Sequence, residues 1–580
     1  MRRAVTSLAV LATLLGWALW RLQPAFAVAT GLTSHELCDG VFVADQAPQV
    51  VFRTNLAPRQ GYHWIAWAIR YRVDYAQASV TSSLLGAYTA KAVYRKSFGC
   101  LVLHGAPPVT QSAIVSPAEP ALLPPLAGRN VVAPQNAKLR VALDAAFDAP
   151  QRRTEAVVVV HDGHIIAERY APGFGVQTPL IGYSATKSVI SALIGILVRE
   201  KRLSLYGPAP VALWDAGGNK RRAISIDDLL RMMSGLDFPE TDSGLDRPSQ
   251  MLFLKRDMAA YAERTRLRFP PGTHWSYSSA SYLILSQIIR NAVGGGPERV
   301  LSFARRTLFG PLGMTDVHLD FDATGTPVGS TYMLAPARSW ARFGMLYLDD
   351  GVVDGQRILP AGWVRYSTTP SPDTGYGAGF WTERVGKGAN PYHWGLPDVP
   401  ADSFMARGIL GQFVVVIPSK DLVVVRFGLT DQTGANVNDS RGMGQLVAAV
   451  VAAINHSSWR RRIARAVNVA FGTRTAFLRP KVPRHCAVAP PHTEENDPVR
   501  SAPLRPAGMS ERVHIDHQMD LRRRVPCGGK RGSTGLPRPL WRAHLSRFPF
   551  FRASLPWRTL QFSAANGSSF SSARAAFQLG

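Results

Sequence analysis

Ser184-Ala185-Thr186-Lys187, followed at once by the apolar run Ser188 to Val198, constrains this chain more than any other stretch. A Ser and a Lys three apart project from the same side of a helical turn. If that turn opens a buried helix, Ser184 lies at the helix N-terminus, where backbone N–H groups and the dipole favour negative charge. Lys187 sits one turn deeper among Val189, Ile190, Leu193 and Ile194, surroundings that disfavour a charged amine. A neutral amine beside a hydroxyl can activate an acylating serine as a histidine would. Taken alone, the tetrapeptide fits a helix N-cap followed by a solvated lysine better, so what lies downstream decides.

Two further punctuated elements follow in order. Phe269-Pro-Pro-Gly-Thr-His-Trp-Ser-Tyr277-Ser-Ser279 makes a turn that presents Tyr277 and Ser279 ahead of the apolar run Tyr282 to Ile289. Ala406-Arg407-Gly408-Ile409-Leu410-Gly411-Gln412 introduces the β-branched run Phe413 to Ile417, and turn residues lead from it to a second strand, Leu422 to Phe427. The set resembles the serine β-lactamase and penicillin-binding superfamily, with its SxxK, YxN and strand-borne glycine motifs. It is most similar to the class C-like branch that holds esterases and 6-aminohexanoate-oligomer hydrolases. Asp227-Asp228-Leu229-Leu230 through Ser234-Gly235-Leu236 and Ala337-Arg-Ser-Trp340-Ala-Arg-Phe-Gly344 add to the likeness, which covers residues 135–456.

The resemblance implies an α/β fold of the α+β type: an antiparallel sheet flanked by helices and interrupted by a helical region. It also implies an acyl-enzyme mechanism. Ser184 attacks a carbonyl, Lys187 and Tyr277 pass its proton to the leaving group, and backbone N–H groups of Ser184 and Ile409 hold the oxyanion. Gly408 and Gly411 are expected to let substrate approach the strand closely. Two departures narrow the substrate. Ser279 stands where YxN has Asn, and no Lys-Thr-Gly is present; Arg407 is the nearby cation. Both weaken a β-lactamase or D,D-peptidase reading and favour small esters or amides. A penicillin-recognising enzyme anchored by Arg407, and a catalytically silent binding protein on the same fold, stay open as alternatives.

The remaining sequence frames that domain. Met-Arg-Arg, an apolar stretch Ala4 to Trp20 and Ala25-Phe26-Ala27 read as a secretory signal or a membrane anchor over 1–27, hence as export to the periplasm or to the face of the inner membrane. Residues 28–110 read as a small β-rich region in which Cys38 and Cys100 form a disulfide or remain as two buried thiols. Residues 111–134, rich in Pro and Ala, read as a linker. No cofactor is expected, and no Cys/His cluster has metal-ligand spacing. His161-Asp162-Gly163-His164 reads as a hairpin turn. The formal net charge is +26, but 22 Lys+Arg against 6 Asp+Glu fall in residues 457–580. The charge therefore marks a basic, disordered tail, a surface-binding arm for anionic lipid or cell-wall polymer, or a mis-called reading frame, rather than a nucleic-acid-binding domain.

Overall fold

The computed structural model describes residues 2–105, 120–241, 243–384, 399–430 and 440–454. The basic tail from 457, with Cys486 and Cys527, residues 106–110 of the expected β-rich region and residues 111–119 of the expected linker lie outside them. The chain opens with helix α1 (Arg2–Cys38), which runs without a break across the division expected after residue 27. Its last third is packed into the protein: Val28, Leu37 and Cys38 are buried. Among the described residues no helix is long and apolar enough to cross a membrane, so the anchoring expected of residues 4–20 finds no support in the fold.

The region after α1 is half helical. Val41-Phe42-Val43 and Gln49 to Phe52, strand-like as a pattern, lie in helical turns, Asp39–Val43, Pro48–Val51 and Phe52–Leu56. Short apolar runs do not distinguish the two states. Here Pro48 opens a helical turn, and Val51 packs onto Gly40, where a Cβ would sit 2.5 Å from it. The strands come later, as an antiparallel meander of β1 (Ile69–Asp74), β2 (Ser79–Leu84), β3 (Tyr88–Arg95) and β4 (Gly99–Val102). Cys38 and Cys100 are joined as a disulfide between α1 and β4, their Cα atoms 6.0 Å apart.

Residues 120–134 do not behave as a free linker. The N–H groups of Leu122 and Leu123 donate to Pro311 O, and Val132 exchanges bonds with Glu168: its N–H reaches Oε1 at 2.8 Å and its carbonyl accepts the Glu168 N–H. Helix α2 (Ala137–Phe147) follows, then the hairpin β5 (Thr154–His161) and β6 (His164–Tyr170). Asp162 and Gly163 both have positive φ, as a two-residue hairpin turn requires, and His161 and His164 face each other across it.

The hairpin belongs to a six-stranded, wholly antiparallel sheet that the later chain completes. Its other members are β7 (Trp381–Thr382), β8 (Phe404–Gly408), β9 (Gln412–Ile417) and β10 (Leu422–Gly428), in the order β7-β8-β9-β10-β5-β6. Between β6 and β7 the chain makes the helices that carry the site: α3 (Thr186–Arg199), α4 (Arg247–Leu254), α5 (Ser279–Ala292) and α6 (Ala337–Leu348). Helix α6 lies on β9 and β10, while the closing helix α7 (Ser440–Ala453) packs on α2. Asn136 Nδ2 donates to Ala453 O at 2.8 Å, which brings both ends of this part of the chain together.

Candidate active site

Ser184 sits in a short 3-10 turn, Tyr183–Ala185, between the two-residue strand Leu180–Ile181 and α3. The turn is held on every side. The Gly182 N–H donates to Met333 O, and a Cβ at 182 would sit 2.4 Å from the ring of Trp340. Tyr183 adopts φ +43, a left-handed conformation that costs a non-glycine residue energy. Its buried hydroxyl donates to Glu36 Oε2 at 3.1 Å and accepts from Arg59 Nη2 at 2.7 Å, while Arg59 and Glu36 pair at 3.1 Å. The region before β1 thus clamps the residue next to Ser184.

Lys187 is 1% exposed. Its Nζ reaches three acceptors: Ser184 Oγ at 3.1 Å, Ser279 Oγ at 3.2 Å and Ser330 O at 2.8 Å. It also lies 5.0 Å from the centroid of the Tyr277 ring. Helix α3 is buried along almost its whole length. Its Ser188 and Ser191 hydroxyls donate to Gly379 O and Ala378 O, from the Gly375 to Trp381 segment. An amine at the second position of such a helix cannot reach bulk water, so the serine hydroxyls become its partners.

The turn carrying Tyr277 is shaped by the Ser234-Gly235-Leu236 segment. Gly235 has φ +72, and a Cβ there would lie 2.1 Å from Phe269 O; Gly235 O accepts the Arg268 N–H, and Met232 O accepts the Ser276 N–H. Tyr277 stacks on Trp381 with ring centroids 5.9 Å apart. Ser279 is the first residue of α5, and its N–H donates to the carboxylate of Glu240, a favourable charge at a helix N-terminus.

The glycines of the third motif serve the protein's own backbone. A Cβ on Gly408 would meet Gly182 O at 2.2 Å and Tyr183 Cβ at 3.1 Å, so β8 lies directly against the Ser184 turn. Gly411 has φ +89 and abuts the Arg426 guanidinium, which a Cβ would meet at 2.0 Å. Both glycines were expected to admit substrate. Gly408 does line the cavity, but its close contact is with Gly182; Gly411 makes the tight turn between β8 and β9 and lies outside the cavity wall. The carbonyls of that turn are tied to buried groups: Ile409 O accepts from Gln412 Nε2 at 3.1 Å, Leu410 O from the Thr430 N–H at 2.9 Å and Gly411 O from Arg426 Nη1 at 2.6 Å. Arg407, whose facing a strand pattern left undecided, lines the cavity. Its Nη2 donates to Ser440 Oγ at 2.8 Å.

These elements enclose a cavity of about 840 Å³ lined by Ser184, Tyr277, Ser279, Arg407, Gly408 and Ile409. Glu36, Arg59, Tyr183, Glu240 and Trp381 share the wall and were not singled out from the sequence. Of these, Trp381 ends the glycine-rich stretch Gly375-Tyr-Gly-Ala-Gly-Phe-Trp381, and the others carry no local signal because distant segments bring them together. His35, Asp39 and Asp320 lie close enough to share an ion and are buried. The ring nitrogens of His35 lie 3.3 Å from an Asp39 and 3.2 Å from an Asp320 carboxylate oxygen.

The arrangement is that of a serine hydroxyl within hydrogen-bond reach of a buried amine, with the ring of Tyr277 beside that amine. The family model described as Beta-lactamase matches residues 140–470, more than half of the chain. The chain belongs to the beta-lactamase family. That family is one of serine hydrolases, and the six-stranded antiparallel sheet with its flanking helices is a β-lactamase-like fold. The 6-aminohexanoate-dimer hydrolase of Paenarthrobacter ureafaciens is 25% identical over 291 residues, 47% of this chain and 72% of the relative. Two solved structures are similar. A penicillin-binding protein homologue from Caulobacter crescentus is 18% identical with a TM-score of 0.43, covering 56% of this chain and 99% of its own. A class C beta-lactamase from Rhodobacter sphaeroides is 16% identical with a TM-score of 0.41, covering 54% and 99%.

Proposed function

We propose that this protein is an exported serine hydrolase that cleaves small esters or amides through an acyl-enzyme. The observation that carries this reading is the 3.1 Å approach of the buried Lys187 amine to Ser184 Oγ at the wall of a substrate-sized cavity. Ser184 Oγ attacks the carbonyl carbon while its proton moves to Lys187 Nζ and, with Tyr277, on to the departing oxygen or nitrogen. The N–H groups of Ser184 and Ile409 receive the oxyanion. Water then attacks the ester on Ser184, releasing the acid and restoring the hydroxyl. Export agrees with the disulfide between Cys38 and Cys100, a bond of oxidising compartments, and is checked by cell fractionation.

Labelling with a fluorophosphonate, followed by mass spectrometry, tests the nucleophile. The adduct should lie on Ser184 alone, and Ser184→Ala should abolish labelling and turnover of p-nitrophenyl butyrate. Labelling that persists in Ser184→Ala removes the assignment. One observation favours a second reading: Arg407 places a guanidinium in the cavity wall, where it could hold the carboxylate of a β-lactam or a D-alanyl terminus. That reading requires labelling of Ser184 by a fluorescent penicillin and turnover of nitrocefin.

A further inference from the structure

The cavity at Ser184 is much larger than a short acyl group fills, and one of its walls is apolar. At about 840 Å³ it stands near the top of the range for single-ligand pockets. Helices α1 and α4 build that wall and meet so closely that a Cβ on Gly31 would lie 2.9 Å from Phe253 Cβ. The wall presents Phe26, Val28, Leu32, Leu252 and Phe253, and Ile65 joins them from the chain before β1. Glu36 is paired with Arg59 and accepts from Tyr183, while Glu240 accepts the Ser279 N–H and Arg407 donates to Ser440. The apolar wall gains only from apolar contact.

Taking Ser184 as the nucleophile, we infer that the preferred substrates are esters whose acyl part carries an unbranched apolar chain of eight or more carbons, laid along the α1–α4 wall. The acyl chain is buried as the substrate leaves water for the acylation transition state, so its burial raises kcat/KM. Part of the wall comes from outside the sheet domain, from α1 and the turns before β1, which gives that region a role in choosing substrate. Each methylene buried in the transition state multiplies kcat/KM by about fourfold at most.

A series of p-nitrophenyl acetate, butyrate, octanoate and decanoate, assayed below micelle formation, tests this. kcat/KM should rise at least about tenfold from butyrate to octanoate. Leu252→Asp and Ile65→Asp, on different elements of the wall, should each lower the octanoate-to-acetate ratio by about fivefold or more, since a carboxylate in the chain's path must be desolvated. A flat or falling series in the native protein, with Ser184 still labelled by fluorophosphonate, overturns the inference and leaves the hydrolase reading intact. So does an unchanged ratio in either variant that keeps the native melting temperature. If neither variant folds, the native series alone decides. Absence of both labelling and turnover in the native protein overturns the hydrolase reading itself.

Discussion

Lys187 shows how much a single burial decision carries. On an exposed helix the same side chain would be solvated; at 1% exposure its amine has Ser184, Ser279 and Ser330 for partners. Lys187→Met keeps most of the volume and removes the proposed proton acceptor. Turnover of p-nitrophenyl butyrate should fall by about 10² or more, the scale of a lost general base, with the melting temperature little changed. A variant with near-native turnover would place the base elsewhere. Gly408 makes the complementary point about backbone. With Gly182 O 2.2 Å from where its Cβ would stand, Gly408→Ala must push β8 away from the Ser184 turn. The expected result is a lower melting temperature together with a lower kcat. Loss of stability without loss of kcat would show that the two backbones are not coupled.

At the level of elements, the turn between β8 and β9 is positioned from inside the sheet. Gln412 holds it with its whole amide: Nε2 donates to Ile409 O and Gly428 O, and Oε1 accepts the Gly428 N–H at 3.2 Å. Gln412→Leu leaves those buried backbone groups without their partner, at a cost of about 1–3 kcal/mol in unfolding free energy. Because the same turn carries the Ile409 N–H, kcat should fall more than KM rises; a change confined to stability would limit Gln412 to a structural role. Strand β5 adds a pH dependence. Burial pushes the Glu155 carboxyl up to about 7, against the opposing pull of Arg426 and Arg153. A carboxyl whose folded value lies above its unfolded value of about 4.3 favours the fold at acid pH. That advantage is lost as pH rises from about 4 to about 7. Glu155→Gln does not titrate, so its melting temperature relative to the native protein should rise between pH 5 and pH 8. A constant difference would show that Glu155 ionises normally in the fold.

Across the whole molecule, the segment before the sheet domain is an integral part of the site. The disulfide pins α1 to β4, and the Glu36–Arg59–Tyr183 cluster carries that order to the residue beside Ser184. Residues 38 and 100 are 62 apart in sequence, and closing a loop of that length accounts for about 4 kcal/mol in the chain-entropy picture. A Cys38→Ala, Cys100→Ala double variant should lose about 2–4 kcal/mol in denaturant unfolding and also lose esterase activity, as the Tyr183 clamp loosens. Full activity with reduced stability would separate the clamp from the disulfide.

What the sequence by itself determined is local. The Ser184 to Lys187 spacing, the Pro-Pro-Gly turn before Tyr277, the Asp162-Gly163 hairpin and the β-branched runs of β9 and β10 each specify a conformation through neighbours in the chain. Their order was enough for the family and the sheet. Only the tertiary structure decided the rest. Val41 to Val43 and Gln49 to Phe52 have too few residues to select strand over helix, so packing selected for them. The same holds for the glycines of the third motif, where a close approach is visible from sequence but not what approaches: Gly408 meets Gly182, and Gly411 meets Arg426. Glu36, Arg59, Glu240 and Ser330 reach the site from segments far apart in the chain, and no local pattern encodes a contact between them. Burial is likewise a property of the assembled fold, and it is burial that leaves the Lys187 amine with serine hydroxyls, rather than water, as its partners.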